Sequence, residues 1–173
     1  MVLDADALNH FEGRADELGA LLRGRIAVLT PHVAEFARLS GVALRDVLAN
    51  RFDVGLELSR RTGAVLLLKG VPTVISAPDG RCLVSASGTP VIAAAGSGDL
   101  LSGIAATLVV QTENALHGAA CAAWAHGRAA EIAGAGAVRG VTLRDVRRAL
   151  PRVWREQPRV PAYPVLVELP AVP

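Results

Sequence analysis

The 173-residue chain has few aromatic residues: three Phe, two Trp and one Tyr, 3% of the whole. Its core must therefore be aliphatic and rich in alanine. A stacking platform for single-stranded nucleic-acid bases is argued against on the same ground. Lysine is scarcer still, since all but one of the eighteen basic residues are arginine and Lys69 stands alone. The arginines are scattered and the formal net charge is only +2, so no surface for nucleic acid is marked out. The run Arg144, Arg147, Arg148, Arg152, Arg155 reads as the solvated face of a helix. Cys82 and Cys121 have neither CxxC nor metal-ligand spacing and read as small core residues. No uninterrupted run of apolar residues is long enough to span a membrane. The first nine residues carry two aspartates and no basic segment of a secretory leader. A soluble, cytoplasmic protein is the expectation, with no nucleic-acid or membrane partner.

What is present is a chain 51% hydrophobic and 20% charged, with mean hydropathy +0.38. That is enough for one buried core. The opening residues Val2-Leu3 begin as if in mid-strand. Periodicity predicts helices over 15–22, 32–39 and 44–61, with apolar strands over 25–29 and 64–68 between and after them. Segments 73–77 and 81–85 flank Pro78-Asp79-Gly80 and read as a β-hairpin. Helices over 98–110, 114–133 and 142–155 follow, with Pro151 expected to bend or interrupt the last. Residues 1–157 form the domain. Residues 158–173 are a Pro-rich tail with a short strand at 165–169. Strands alternating with helices predict a three-layer α/β sandwich on a mostly parallel sheet. Ligands of such sheets bind beyond the carboxyl ends of strands, which directs attention to Asp4 and Asp6, Thr30-Pro31-His32 and Lys69-Gly70.

The most informative stretch is Ala95-Gly96-Ser97-Gly98-Asp99-Leu100-Leu101-Ser102-Gly103, a turn of small residues opening into a helix. Glycine lets the backbone approach a ligand, and the first N–H groups of a helix lack intrahelical partners and favour negative charge. Asp99 in that first turn is either a general base for a bound hydroxyl or an ordinary capping aspartate. The turn is neither a Walker A loop nor GxGxxG.

The run 96–103 resembles the GxGD-type signature of ribokinase-like proteins. Together with 2–9 (VLDADALN), 29–35 (LTPHVAE) and 68–75 (LKGVPTVI), in that order, it resembles the carbohydrate-kinase-like domain of ADP-dependent NAD(P)H-hydrate dehydratases. The resemblance runs from about residue 2 to residue 155. It implies a ribokinase-like fold and the dehydration of (S)-NAD(P)H-hydrate to NAD(P)H. ADP is consumed and AMP and phosphate are released (ATP takes its place in some members), with Mg²⁺ expected for phosphoryl transfer but no metal ligands assigned. A ribokinase-like small-molecule kinase and a non-catalytic nucleotide-binding fragment are the alternatives.

By the same resemblance Asp99 is the catalytic aspartate. Lys69, Gly70, Val71, Pro72 and Thr73, with the backbone of Gly96, Ser97 and Gly98, hold the adenine nucleotide. His32 and Asn9, with Asp99, meet the hydrated dinucleotide. On the residues alone His32 after Thr30-Pro31 is more often a hydrogen-bonding helix start, and Lys69 is equally a snorkelling strand-end lysine. The chain departs from the family's pattern in Val33-Ala34 for Pro-Gly, in Pro72, in Thr89 for Asn and in Ala95 for the first glycine of the turn. It also begins near the middle of the family domain. The expectation is that the N-terminal portion is missing, leaving an exposed parallel edge. A homo-oligomer, or pairing with a missing N-terminal portion, would then cover that edge.

Overall fold

A computed structural model describes residues 1–90, 93–137 and 139–155, and the backbone of 166–169. The strands are β1 (Val2–Leu3), β2 (Val28–Leu29), β3 (Val65–Leu68), β4 (Thr73–Ser76), β5 (Cys82–Ser85) and β6 (Leu166–Leu169). They form one sheet in the order β1-β2-β3-β4-β5-β6. The pairs β1–β2 and β2–β3 are parallel, whereas β3–β4, β4–β5 and β5–β6 are antiparallel. Four of the six strands, β1, β2, β3 and β5, consequently point the same way. β1 ends the order, with no strand beyond it among the described residues.

The helices are α1 (Asp6–Asn9), α2 (Ala15–Leu22), α3 (Val33–Ser40), α4 (Leu44–Ala49), α5 (Gly55–Thr62), α6 (Ser97–Thr112), α7 (Ala115–Ala133) and α8 (Leu143–Val153). Alternation along the strands sorts them into two layers. Leu29, Leu66, Leu68 and Val74 pack with Leu18, Phe36, Leu39 and Leu58 of α2, α3 and α5. Val28, Val65, Leu67 and Ile75 face the other way, against Leu101, Ala105, Val109 and Ala119 of α6 and α7. Strand β3 is buried along its whole length, as its uninterrupted VLLL requires for a strand covered on both faces.

The outer layer depends on small residues. Helix α7 buries seven alanines, and a Cβ on Gly118 would lie 2.7 Å from the backbone of Val109 in α6. A Cβ on Gly127 would lie 2.5 Å from the backbone of Ser87. The helices approach this closely because the positions between them carry almost no side chain.

The boundaries differ from expectation in places. The single helix predicted over 44–61 is two, α4 and α5. Asn50 closes α4 through its own amide on Asp46 O (3.1 Å), and its carbonyl starts a new turn by accepting from Val54 N (2.9 Å). Asn and Asp make such local bonds in competition with a continuing helix. Helix α8 begins at a Thr142–Asp145 capping box and runs through Pro151, ending two residues beyond it. Cys82 and Cys121 are half-buried rather than core residues. The Pro-rich tail lies outside the described residues apart from β6.

Gly118→Ala should lower stability by about 1–2 kcal/mol although alanine is the better helix former by about 1 kcal/mol, because the new methyl group meets backbone. Gly103→Ala, with nothing within 4 Å of the added carbon, should instead raise stability by up to about 1 kcal/mol. Urea midpoints of the two variants against the parent chain measure both signs.

Candidate active site

The carboxyl ends of the three parallel strands deliver Asp4, Thr30 to His32 and Lys69 to one place. Lys69 Nζ donates to Asp4 Oδ1 at 2.6 Å and lies 3.5 Å from Glu35 Oε2. Ser102 of α6 donates to Asp4 Oδ2 at 2.9 Å, and the Thr30 hydroxyl stands 3.4 Å from that of Ser102. Burial opposes ionisation of Asp4. The hydrogen bond and charge of Lys69 and the Ser102 hydroxyl outweigh it and hold the carboxyl below its ordinary value. The half-buried lysine thus has an anion within the chain: two carboxylates surround one ammonium.

His32 is the N-cap of α3. Its Nδ1 accepts from the amides of Ala34 (3.1 Å) and Glu35 (3.2 Å), so the proton sits on Nε2, 3.2 Å from Glu35 Oε1. Glu35 completes a capping box by accepting from His32 N at 2.7 Å. The helix start therefore forms with Val33-Ala34 in place of Pro-Gly, and both ring nitrogens of His32 are engaged. Asn9 is drawn elsewhere, its side-chain oxygen accepting from Nε and Nη2 of Arg38.

Gly96 takes a left-handed conformation (φ 79°), where glycine avoids the strain of a side chain, and no side chain caps the helix it precedes. A Cβ there would also meet Leu143 Cδ2 at 2.9 Å. Ser97 N donates to Ala94 O (3.1 Å) within the turn, so one of the three expected backbone donors is already used. Gly98 lies over the ion pair: a Cβ would stand 3.4 Å from Asp4 Oδ2 and 3.5 Å from Lys69 Nζ. Asp99 is exposed and borders a cavity of about 370 Å³ walled by Leu100, Ile104, Leu108, Leu150 and Trp154. Lys69 and His32 are not on that wall. The turn thus has two sides, with Gly98 toward the strand ends and Asp99 toward the α6–α8 groove.

Residues 69–72 join β3 to β4, with Val71 exposed, and Thr73 Oγ1 at the start of β4 donates to Gly70 O at 2.8 Å, closing the loop 69–73. Behind the turn, buried His126 of α7 meets Ser97 Oγ at 3.2 Å. Burial pushes its pKa down to about 4, against a small opposing effect from Ser97. The pairing of Asp4 with Lys69 and the backing by His126 were not anticipated from sequence. The only signal for His126 is a polar residue amid the alanines of 119–130.

The family described as NAD(P)H-hydrate dehydratase, of carbohydrate-kinase type, matches residues 1–152. The chain belongs to that family. It is 41% identical over 133 residues to the ADP-dependent (S)-NAD(P)H-hydrate dehydratase of Neisseria meningitidis serogroup B, covering 76% of this chain and 45% of the relative. It is 40% identical over 158 residues to the bifunctional NAD(P)H-hydrate repair enzyme Nnr of Salinibacter ruber, covering 91% and 29%. Among solved structures, the ADP/ATP-dependent NAD(P)H-hydrate dehydratase of Bacillus subtilis co-crystallised with ATP/Mg²⁺ superposes with TM-score 0.78 at 30% identity. That match covers 89% of this chain and 53% of the other. The ribokinase-like α/β fold is thereby shown. This dehydratase-family chain spans less than half the length of these two curated relatives.

Among the described residues no helix is long and apolar enough to cross a membrane. Nor do three or more His, Cys, Asp or Glu side chains gather there as a metal site. Asp4 is committed to Lys69 and Ser102, so the described residues do not fit a protein-only Mg²⁺ site.

His126 sets a pH dependence. Above its ordinary value of 6.5 the imidazole is neutral in both folded and unfolded chains. Between 6.5 and about 4 only the unfolded chain takes up the proton, so stability falls as pH is lowered, by up to about 3 kcal/mol. Denaturant midpoints between pH 7.5 and 4.5 should show this fall in the parent chain and a much flatter profile in His126→Gln. Parallel profiles would assign the acid sensitivity elsewhere.

Proposed function

We propose that this chain carries the nucleotide-side chemistry of ADP-dependent dehydration of (S)-NAD(P)H-hydrate to NAD(P)H. The observation that carries the reading is Asp99, exposed in the uncapped first turn of α6 and one residue from Gly98, whose backbone packs against the Asp4–Lys69 pair. The names of the relatives in N. meningitidis and B. subtilis support the choice of substrate and nucleotide.

Hydroxide is a poor leaving group, whereas phosphate is a good one. Asp99 accepts the proton of the hydrate hydroxyl as the oxygen attacks the terminal phosphoryl of ADP. The new O–P bond forms as the bond to AMP breaks. The ring nitrogen then pushes electrons toward the carbon bearing the phosphate, the C–O bond breaks with its electron pair on phosphate, and a proton leaves the adjacent ring carbon. The amides of Gly98 and Asp99 at the helix start stabilise charge on the transferring phosphoryl. Loop 69–73 takes the rest of the nucleotide, with Lys69 as a point charge shared with Asp4. His32 is positioned by Glu35 to meet the dinucleotide. Asn9 lines that pocket only if its oxygen leaves Arg38.

The expected cytoplasmic setting, a homo-oligomer or pairing with a separate N-terminal portion, and loading of Mg²⁺ on the nucleotide's phosphates belong to this same proposal. Among the described residues no strand pairs with the outer edge of β1, which supports the pairing.

The chain supplied with hydrate and ADP should regenerate the absorbance band of reduced nicotinamide. Asp99→Asn should slow this by about 10²–10⁴-fold, the range of a general base, while ADP affinity stays within about twofold. Accumulation of a phosphorylated small molecule instead would indicate a kinase. ADP binding without turnover in either protein would indicate a binding module.

A further inference from the structure

The short link between α4 and α5 carries Arg51, whose side chain reaches under the loop 69–73. Its Nη2 donates to Lys69 O (2.9 Å) and Pro72 O (2.9 Å), and Nε donates to Pro72 O (3.1 Å). A longer contact from Nη2 reaches Leu68 O at 3.4 Å. No ion pair to Arg51 is found among the described residues, and every one of these acceptors is a backbone carbonyl. Gly70 rests directly on the guanidinium: any side chain there would collide with Nη1, Nη2 and Cζ of Arg51.

We infer that Arg51 is the positioning residue of the nucleotide loop, turning its carbonyls inward so that the Gly70 amide faces the adenine nucleotide with a positive charge behind it. This rests on the reading of loop 69–73 given under Proposed function. The geometry follows from the planar trans peptide. C=O of Lys69 and N–H of Gly70 belong to one plane and point in opposite directions, so fixing the carbonyl on Arg51 aims the amide away from it. A rigid planar fork can serve Lys69 and Pro72 together, at the two ends of the loop, whereas an ammonium would hold one point. Because its partners are neutral carbonyls, the guanidinium's charge is not cancelled locally and adds to the potential of the loop. Burial lowers the guanidinium pKa, yet an arginine remains charged at any working pH.

The test is ADP binding to the full chain by calorimetry, with the unfolding midpoint measured alongside. Arg51→Ala should weaken ADP about tenfold, the scale of hydrogen bonds to a charged group. Added methylguanidinium should restore much of that loss in Arg51→Ala and do nothing for the parent. A residue that only supported the fold would shift the midpoint without this rescue. Should Arg51→Ala not fold, Arg51→Lys carries the test: ADP several-fold weaker in a folded protein supports the inference, and parental affinity overturns it. If the parent binds ADP and Arg51→Ala binds it equally, the inference fails while the functional reading stands. If the parent itself binds no ADP, that reading fails and the inference falls with it.

Discussion

The ion pair between Lys69 and Asp4 is the contact on which the rest of the site depends. At 2.6 Å and largely out of solvent, it ties the end of β3 to the end of β1 across the intervening β2. Glu35 adds α3 to the same ammonium, and Ser102 adds α6 to the same carboxylate. Removing Lys69 would leave Asp4 and Glu35 largely out of solvent without their cation, which is costlier than the pair itself is stabilising. The pair is therefore better understood as a register device than as a source of stability. It fixes where three strand ends and a helix start stand relative to one another, and Gly98 is placed by that arrangement.

The surroundings are built to the same tolerance. The α6–α7 crossing is set by Gly118 against Val109, and His126 on the same helix fixes Ser97 at the start of α6. On the other side, Arg51 fixes the loop that follows Lys69. The Gly96–Asp99 turn and loop 69–73, to which the proposal assigns catalysis and nucleotide binding, are thus held from behind by His126 and Arg51. A site that handles phosphoryl groups gains from such support, since its catalysis is mostly positioning and fixed dipoles.

Much of the fold was legible in the chain itself. The apolar run at 64–68, the turn Pro78-Asp79-Gly80 and the alternating helices have local causes, and they appear as β3, the β4–β5 hairpin and α2, α3 and α6 to α8. The split of 44–61 into two helices was less legible. Its apolar stripe continues across Asn50, and only the competition of Asn50's local bonds, with Arg51 drawn toward the loop, ends α4 where it does.

The glycine turn with Asp99 at a helix start, and the order of the four motifs, were set by sequence, because backbone freedom and helix-end polarity are local properties. Which partners the charged groups take was decided by tertiary structure. Lys69 finds Asp4 sixty-five residues away, Asn9 is drawn to Arg38, and Arg51 is one of seventeen arginines with nothing local to single it out. A charge acts over distance in space, and only the folded sheet brings residues so far apart in the chain within its reach.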